Sequence, residues 1–206
     1  MLRNRILTLT AVLGLAASSA WAQNTLTAAE SQQGFKLLFD GKTLNGWEQR
    51  TTSQADAKPD WSVQSGAMLC GGTAPSWIHT NDMYTDYQLK LQLRGPNLVN
   101  SGIFLRSTKE GAPHITGYEL QVWDQQPAGY NTGSLVGSVI APPATLKADE
   151  WNDYDVTVKG NHYTVKINGK TVLLATDDLH TSGGVIGLQC QPQQRIEFRN
   201  VKIRTL

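Results

Sequence analysis

Arg106, Glu119, Gln121 and Trp123 lie in two short alternating segments, and the alternation decides which side chains can meet. In Ser101–Arg106, Ile103 and Leu105 have the parity of a core face, which sends Gly102, Phe104 and Arg106 to the other side. In Tyr118–Trp123, Leu120 and Val122 take the core parity and leave Glu119, Gln121 and Trp123 opposite. If the two strands are neighbours, one face gathers a carboxylate, a guanidinium, an amide and two aromatic rings. That set suits a sugar, which offers hydroxyls at its edge and C–H groups on its faces. The competing reading is a solvated face with an Arg–Glu cross-strand pair, and parity alone leaves the two level.

Ser76–Thr80 adds Trp77 and His79 to a common face if Ile78 is in the core. His79 would supply a group that titrates near neutral pH, as acid, base or ligand, against the commoner role of a hydrogen-bonded bystander. Asp124 closes its strand at the start of a long loop, where it either contacts substrate or caps a turn. His114, His162 and His180 fall in loops or on an exposed face and receive no role. There is no H-E-x-x-H or C-x-x-C spacing, phosphate-binding glycine loop or G-x-S-x-G elbow. A retaining glucanase would carry two carboxylates at even spacing on one strand, about 5 Å apart. Glu119 and Asp124 are five residues apart, so a regular strand puts them on opposite faces and separates them by roughly 16 Å. The usual glycosidase pair is therefore not visible.

The elements that must hold these residues are strands. Tyr87, Leu89, Leu91 and Leu93 alternate with polar residues. Tyr154, Val156 and Val158 do the same, and Gly160-Asn161 then turns the chain into Tyr163, Val165 and Ile167. Asn168-Gly169 turns it again into Thr171–Leu174, which makes a three-stranded meander. Ile196 and Phe198 have opposite parity to Val201 and Ile203, which predicts a bulge near Arg199-Asn200. Further strands are expected at Phe35–Phe39, Trp61–Val63, Met68–Cys70 and Val185–Gln189. Ten or more short strands with polar turns predict an all-β sandwich or barrel. Residues 23–33 read as a short helix or a loose arm, and 107–116 and 124–145 as long loops.

Arg3 and Arg5 precede an apolar run, Ile6 to Ala17, and Ala20-Trp21-Ala22 forms an A-x-A site. This predicts a signal peptide over residues 1–22 and a periplasmic or secreted protein beginning near Gln23. No cysteine follows the run to carry a lipid, so no membrane anchor is expected. Losing two arginines from 18 basic residues against 17 acidic ones changes the net charge from +1 to −1, which offers nothing to nucleic acid. Residues 23–206 suffice for one core, with 34–206 as the β domain. In an oxidising compartment Cys70 and Cys190 read as one disulfide, with two buried free thiols as the alternative.

Several ordered pieces carry a family likeness: Phe35-Lys36-Leu37-Leu38-Phe39-Asp40-Gly41-Lys42, Leu44-Asn45-Gly46-Trp47, Trp61-Ser62-Val63, Asn100-Ser101-Gly102-Ile103-Phe104-Leu105-Arg106 and Tyr118-Glu119-Leu120-Gln121-Val122-Trp123-Asp124. Trp151-Asn152, Asn168-Gly169, Gly187-Leu188-Gln189 and Glu197-Phe198-Arg199-Asn200-Val201 continue the series. In this order and spacing the chain resembles the 3-keto-disaccharide hydrolase family. The resemblance implies a concanavalin-like jelly roll of two antiparallel sheets and cleavage of glucosides oxidised at carbon 3. It also implies that Arg106, Glu119, Gln121 and Asp124 belong to the site. Cys190 and Pro192 replace a short His-Gly turn that the family often carries.

The combined expectation is a small sugar substrate, with Glu119, Arg106 and His79 catalytic and with Gln121, Trp123, Phe104, Asn100, Asp124 and Trp77 binding. The sequence requires no cofactor, and it shows no ligand set for the divalent metal that the resemblance allows. A non-catalytic, lectin-like module is the alternative.

Overall fold

The structure is a computed structural model that describes residues 23–51 and 58–206; the expected leader, 1–22, lies outside the described residues. Thirteen described strands follow the short helix α1 (Ala28–Gln32). They begin with β1 (Lys36–Leu37), β2 (Trp47–Thr51), β3 (Trp61–Gln64), β4 (Ala67–Cys70), β5 (Ser76–Thr80), β6 (Tyr87–Arg94) and β7 (Ser101–Ser107). After the single turn of helix α2 (Pro113–Thr116) come β8 (Tyr118–Val122), β9 (Asn152–Lys159), β10 (His162–Ile167), β11 (Lys170–Thr176), β12 (Val185–Cys190) and β13 (Ile196–Thr205).

The strands form two antiparallel sheets, as expected of a jelly-roll sandwich. The larger has the order β11-β10-β9-β6-β13-β4-β3, with β1 also paired to β13. The smaller has the order β2-β5-β12-β7-β8. The core between them is the apolar parity read from the sequence. Leu89, Leu91, Leu93, Tyr154, Val156, Val158 and Phe198 of the larger sheet meet Ile78, Ile103, Leu120, Val122 and Leu188 of the smaller. Burying each of the larger side chains contributes roughly 1.5–3 kcal/mol, which pins the register because a one-residue slip would turn them all outward.

Cys70 of β4 and Cys190 of β12 form a disulfide that ties the two sheets together across 120 residues of chain, with Cα atoms 5.8 Å apart. The expected bulge is present: pairing of β13 with β6 shifts between Arg199 and Lys202, and Asn200 has a φ of 53°. The 23–33 segment does contain a helix, started by a Thr27–Glu30 capping box. Glu30 also pairs with Lys202 at 2.8 Å, which fastens the arm to β13.

Two strand readings change. The strand expected over Phe35–Phe39 shortens to β1, and β2 was not foreseen. β2 has little alternation of its own: Trp47 is buried while Glu48, Gln49, Arg50 and Thr51 are half-buried. Its place comes from antiparallel pairing along β5, and such tertiary pairing overrides weak local preference.

Candidate functional site

The face of the smaller sheet turned away from the core is organised in rows by strand register. Glu48 pairs with His79, His79 with Gly187, Gly187 with Phe104, and Phe104 with Glu119, so one row crosses all five strands. One step along, Arg50 pairs with Trp77, Trp77 with Gln189, and Gly102 with Gln121. His79, Gly187, Phe104, Glu119, Trp77, Gln189 and Gln121 therefore share one surface, as parity predicted for five of them.

Two glycines leave room on this surface. A Cβ on Gly187 would lie 2.6 Å from the Trp77 ring and 3.0 Å from Phe104, so these rings close over bare backbone. They meet edge to face with centroids 5.6 Å apart. A Cβ on Gly102 would come within 2.7 Å of the Glu119 carboxylate. Gln189 Nε2 donates to that carboxylate, to Oε1, at 3.0 Å.

Glu119 is 7% exposed. Burial pushes its pKa up from 4.5 to about 7, opposed only in part by the Gln189 hydrogen bond. It therefore holds a proton at pH values where an ordinary glutamate has lost one.

His79 is fully buried, and its ring lies 4.6 Å from Trp77. Its Nδ1 is 3.0 Å from the Thr80 carbonyl oxygen. A carbonyl only accepts, so Nδ1 carries a hydrogen, and in the tautomer with that one hydrogen Nε2 presents a lone pair. Nε2 has no hydrogen-bond partner among the described residues, and neither does Gln189 Oε1. Buried polar atoms are rarely left unpaired in a scaffold. On adjacent strands about 4.8 Å apart, the backbones of His79 and Glu119 are separated by roughly 14 Å, with Gly187 and Phe104 between them.

Gln121 Oε1 accepts from the Val122 amide at 3.0 Å, which leaves its Nε2 to donate onto the face. Trp123 continues the alternation one residue past β8, its carbonyl accepting from Thr132, and it is half-buried. Asn100, also half-buried, precedes β7.

Arg106 does not join Glu119. Between Phe104 and Ser107, β7 has three steps against two between Gly187 and Val185 on β12, and Arg106 takes a φ of 56°. This bulge breaks the alternation and turns the guanidinium to the core side. There Nε donates to Thr85 O at 2.8 Å, Nη1 to Gly160 O at 2.6 Å and to Tyr163 Oη and His180 O at 3.1 Å, and Nη2 to Asp86 at 2.9 Å. All three nitrogens are occupied in binding turns of the larger sheet. Asp124 likewise stays a loop anchor: its carboxylate accepts from Thr132 Oγ1 at 2.5 Å and from the Leu146 amide at 2.9 Å.

A model of the 3-keto-alpha-glucoside-1,2-lyase-like domain matches residues 34–204. The chain belongs to this family. Among solved structures, it is similar to a candidate glycosyl hydrolase from Parabacteroides distasonis ATCC 8503, with 25% identity, a TM-score of 0.75, and coverage of 90% of this chain and 100% of that one. A second candidate glycosyl hydrolase from the same organism gives 24% identity, a TM-score of 0.69 and coverage of 84% and 99%. A carbohydrate binding module from Bacillus subtilis shares the fold at 16% identity, with a TM-score of 0.58 and coverage of 76% and 94%. No curated protein sequence matches the chain.

Within this member of the family, Gln189 and Gly187 belong to the candidate site's face and were passed over by sequence reasoning. The signal was available, because Leu188 has core parity and must turn both neighbours to the other face. Glu48 and Arg50 were missed along with β2. Among the described residues, Asp60, Cys70 and Cys190 are three ligand-type side chains close enough to share an ion, but the disulfide removes both sulfurs from that role.

Proposed function

We propose that the protein cleaves glycosides that carry a ketone at carbon 3, with His79 as base and Glu119 as acid. The observation that carries the reading is the single row of register that holds His79, with its unpartnered Nε2, and Glu119, with its pKa raised to about 7, on one face of the sheet. The family match and the likeness to glycosyl hydrolases support a glycoside as the substrate class.

A ketone at carbon 3 acidifies the hydrogen on carbon 2, so one imidazole can remove it without a second carboxylate. The electrons pass to the carbon 3 oxygen as an enolate, which Gln121 Nε2 can stabilise as a donor in place of the expected Arg106. As the enolate collapses, the bond from carbon 1 to its exocyclic oxygen breaks and Glu119 gives that oxygen its proton. The sugar is left with a double bond between carbons 1 and 2, and the site with an imidazolium and a carboxylate. Water then adds across the double bond: the carboxylate takes its proton as oxygen bonds carbon 1, and the imidazolium, its proton first exchanged with the solvent that enters as the aglycone leaves, protonates carbon 2.

Incubation with a 3-keto-disaccharide and with its unoxidised parent in deuterated water tests this. The expected result is cleavage of the first only, with deuterium entering carbon 2 of the sugar product. Equal cleavage of both, or a product that keeps its original carbon 2 hydrogen, would overturn the mechanism. Binding without cleavage would favour the lectin-like alternative.

A further inference from the structure

Gln189 is 7% exposed, on a face turned away from the core, and the two ends of its amide are used differently. Nε2 donates to Glu119 Oε1 at 3.0 Å, whereas Oε1 is buried with no hydrogen-bond partner among the described residues. The backbone beneath is held in place: the Gln189 carbonyl accepts from Ser101 Oγ at 2.7 Å, and the next residue, Cys190, is in the disulfide. A buried amide oxygen without a donor costs stability, and an apolar side chain of the same shape would avoid that cost. What Gln189 does for the scaffold therefore does not account for it.

The contact with Glu119 is made across an intervening strand. Glu119 is on β8 and Gln189 on β12, and β7 lies between them. The carboxyl reaches Gln189 over Gly102, where a Cβ would lie 2.7 Å from Glu119 Oε1 and 2.9 Å from its Cγ. Oε2 makes no hydrogen bond among the described residues. In a neutral carboxyl the oxygen that accepts from an N–H is the carbonyl oxygen, and the proton sits on the other. A donor fixed on Oε1 thus leaves the transferable proton on Oε2.

We propose that Gln189 both positions the acid and binds the sugar: Nε2 fixes which oxygen of Glu119 gives up its proton, and Oε1 accepts from the hydroxyl on carbon 2, the one vicinal to the bond that breaks. This rests on the acid–base reading above. β12 lies between β5, which carries His79, and β8, which carries Glu119. Gln189 therefore stands between the group that acts at carbon 2 and the group that acts at the oxygen on carbon 1. Holding the carbon 2 hydroxyl turns the hydrogen of that carbon toward His79. Among the described residues, the titratable and charged groups around Glu119 are His79 in its row, Glu48 and Arg50 on β2, and Lys109, Glu110 and His114 on the segment 108–116, whose helix α2 packs on β7 and β8. Arg106 of β7 is turned to the core side, and β12 and the segment 132–139 beside β8 carry no charge. Burial and the Gln189 donor, and none of these charges, set the affinity of Glu119 for its proton.

The test is the pH dependence of kcat/KM on a 3-keto-disaccharide and on its 2-deoxy analogue, in the wild type, Glu119→Gln and Gln189→Met. The expected result for Gln189→Met is a loss of about tenfold on the hydroxylated substrate and a smaller loss on the 2-deoxy analogue. The limb that falls above about pH 7 should also move to higher pH, because the donor that favours the ionised carboxylate is gone. The variant should melt no lower than the wild type at pH 6, and Gln189→Leu repeats the comparison where the methionine variant does not fold. An unmoved limb, or equal losses on both substrates, would overturn the proposal while leaving the acid–base reading intact. A wild type that cleaves neither substrate, or a limb that survives in Glu119→Gln, brings down the acid–base reading, and this proposal with it.

Discussion

Arg106 and Glu119 are buried polar side chains on the adjacent strands β7 and β8, and they are buried on different terms. Arg106 spends all three nitrogens on a carboxylate and three carbonyls from three separate connections and on the Tyr163 hydroxyl of β10. Glu119 has one protein donor, Gln189, and a pKa raised by burial. His79, at the other end of the row, has an unpartnered nitrogen. Full satisfaction is what a scaffold needs, because each unpaired group costs stability. Incomplete satisfaction at a fixed place stabilises nothing in the protein alone, and on a sheet face turned away from the core it leaves a bond that a ligand can complete. Charge and motif position would have grouped Arg106 with Glu119. Hydrogen-bond accounting separates them.

The sharpest way to break this contrast is Arg106→Met. It strips Asp86 of its ion-pair partner and takes the guanidinium donors from the carbonyls of Thr85, Gly160 and His180, so it should destabilise by about 3–5 kcal/mol. Chemical denaturation measures this, and whatever folded variant survives should keep its KM. A variant with native stability and lost turnover would return Arg106 to the chemistry. Replacing Cys70 and Cys190 together by Ala should cost about 2–5 kcal/mol, seen as a lower denaturation midpoint, since the bridge closes a loop of 120 residues.

Glu119→Gln should act in the opposite direction on stability. The folded-state pKa, about 7, lies above the ordinary 4.5, so the native state binds a proton that the unfolded chain releases between these values. The stability linked to that proton is full below about pH 4.5 and is lost as the pH rises through 7. Above pH 7 the wild type carries a penalty of about 3 kcal/mol that the amide escapes. The variant should therefore melt higher than the wild type at alkaline pH, with the gap closing toward pH 4.5, while turnover falls by about 10²–10⁴-fold. The smallest effect belongs to Glu110→Gln. Its exposed pair with Arg50 is worth less than about 1 kcal/mol, and thermal melts in rising salt should show the difference fade.

Much of the fold was legible because period-two alternation is strong wherever one face of a strand is buried, as in β6, β9 and β10. The same alternation put Glu119, Gln121, Phe104, Trp77 and His79 on a single surface. It failed at Arg106 for a definite reason: a bulge adds a residue to one strand, and nothing in Leu105-Arg106-Ser107 announces a left-handed backbone there. It failed at β2 because an edge strand whose residues after Trp47 are all half-buried has no alternation to show. Asp124 was ambiguous between turn cap and substrate contact until its partners on Thr132 and Leu146 were seen. The state of Glu119 was out of reach, since a pKa depends on burial and neighbours that only the folded chain assembles.

The pH dependence of kcat/KM on a 3-keto-disaccharide tests the acid–base row most directly. With Glu119 as the acid, kcat/KM should fall about tenfold per pH unit above about 7, and Glu119→Gln should lose that limb along with most of its activity. A rate that rises through pH 7 on a group missing from the variant, or a falling limb that survives in Glu119→Gln, would contradict the assignment.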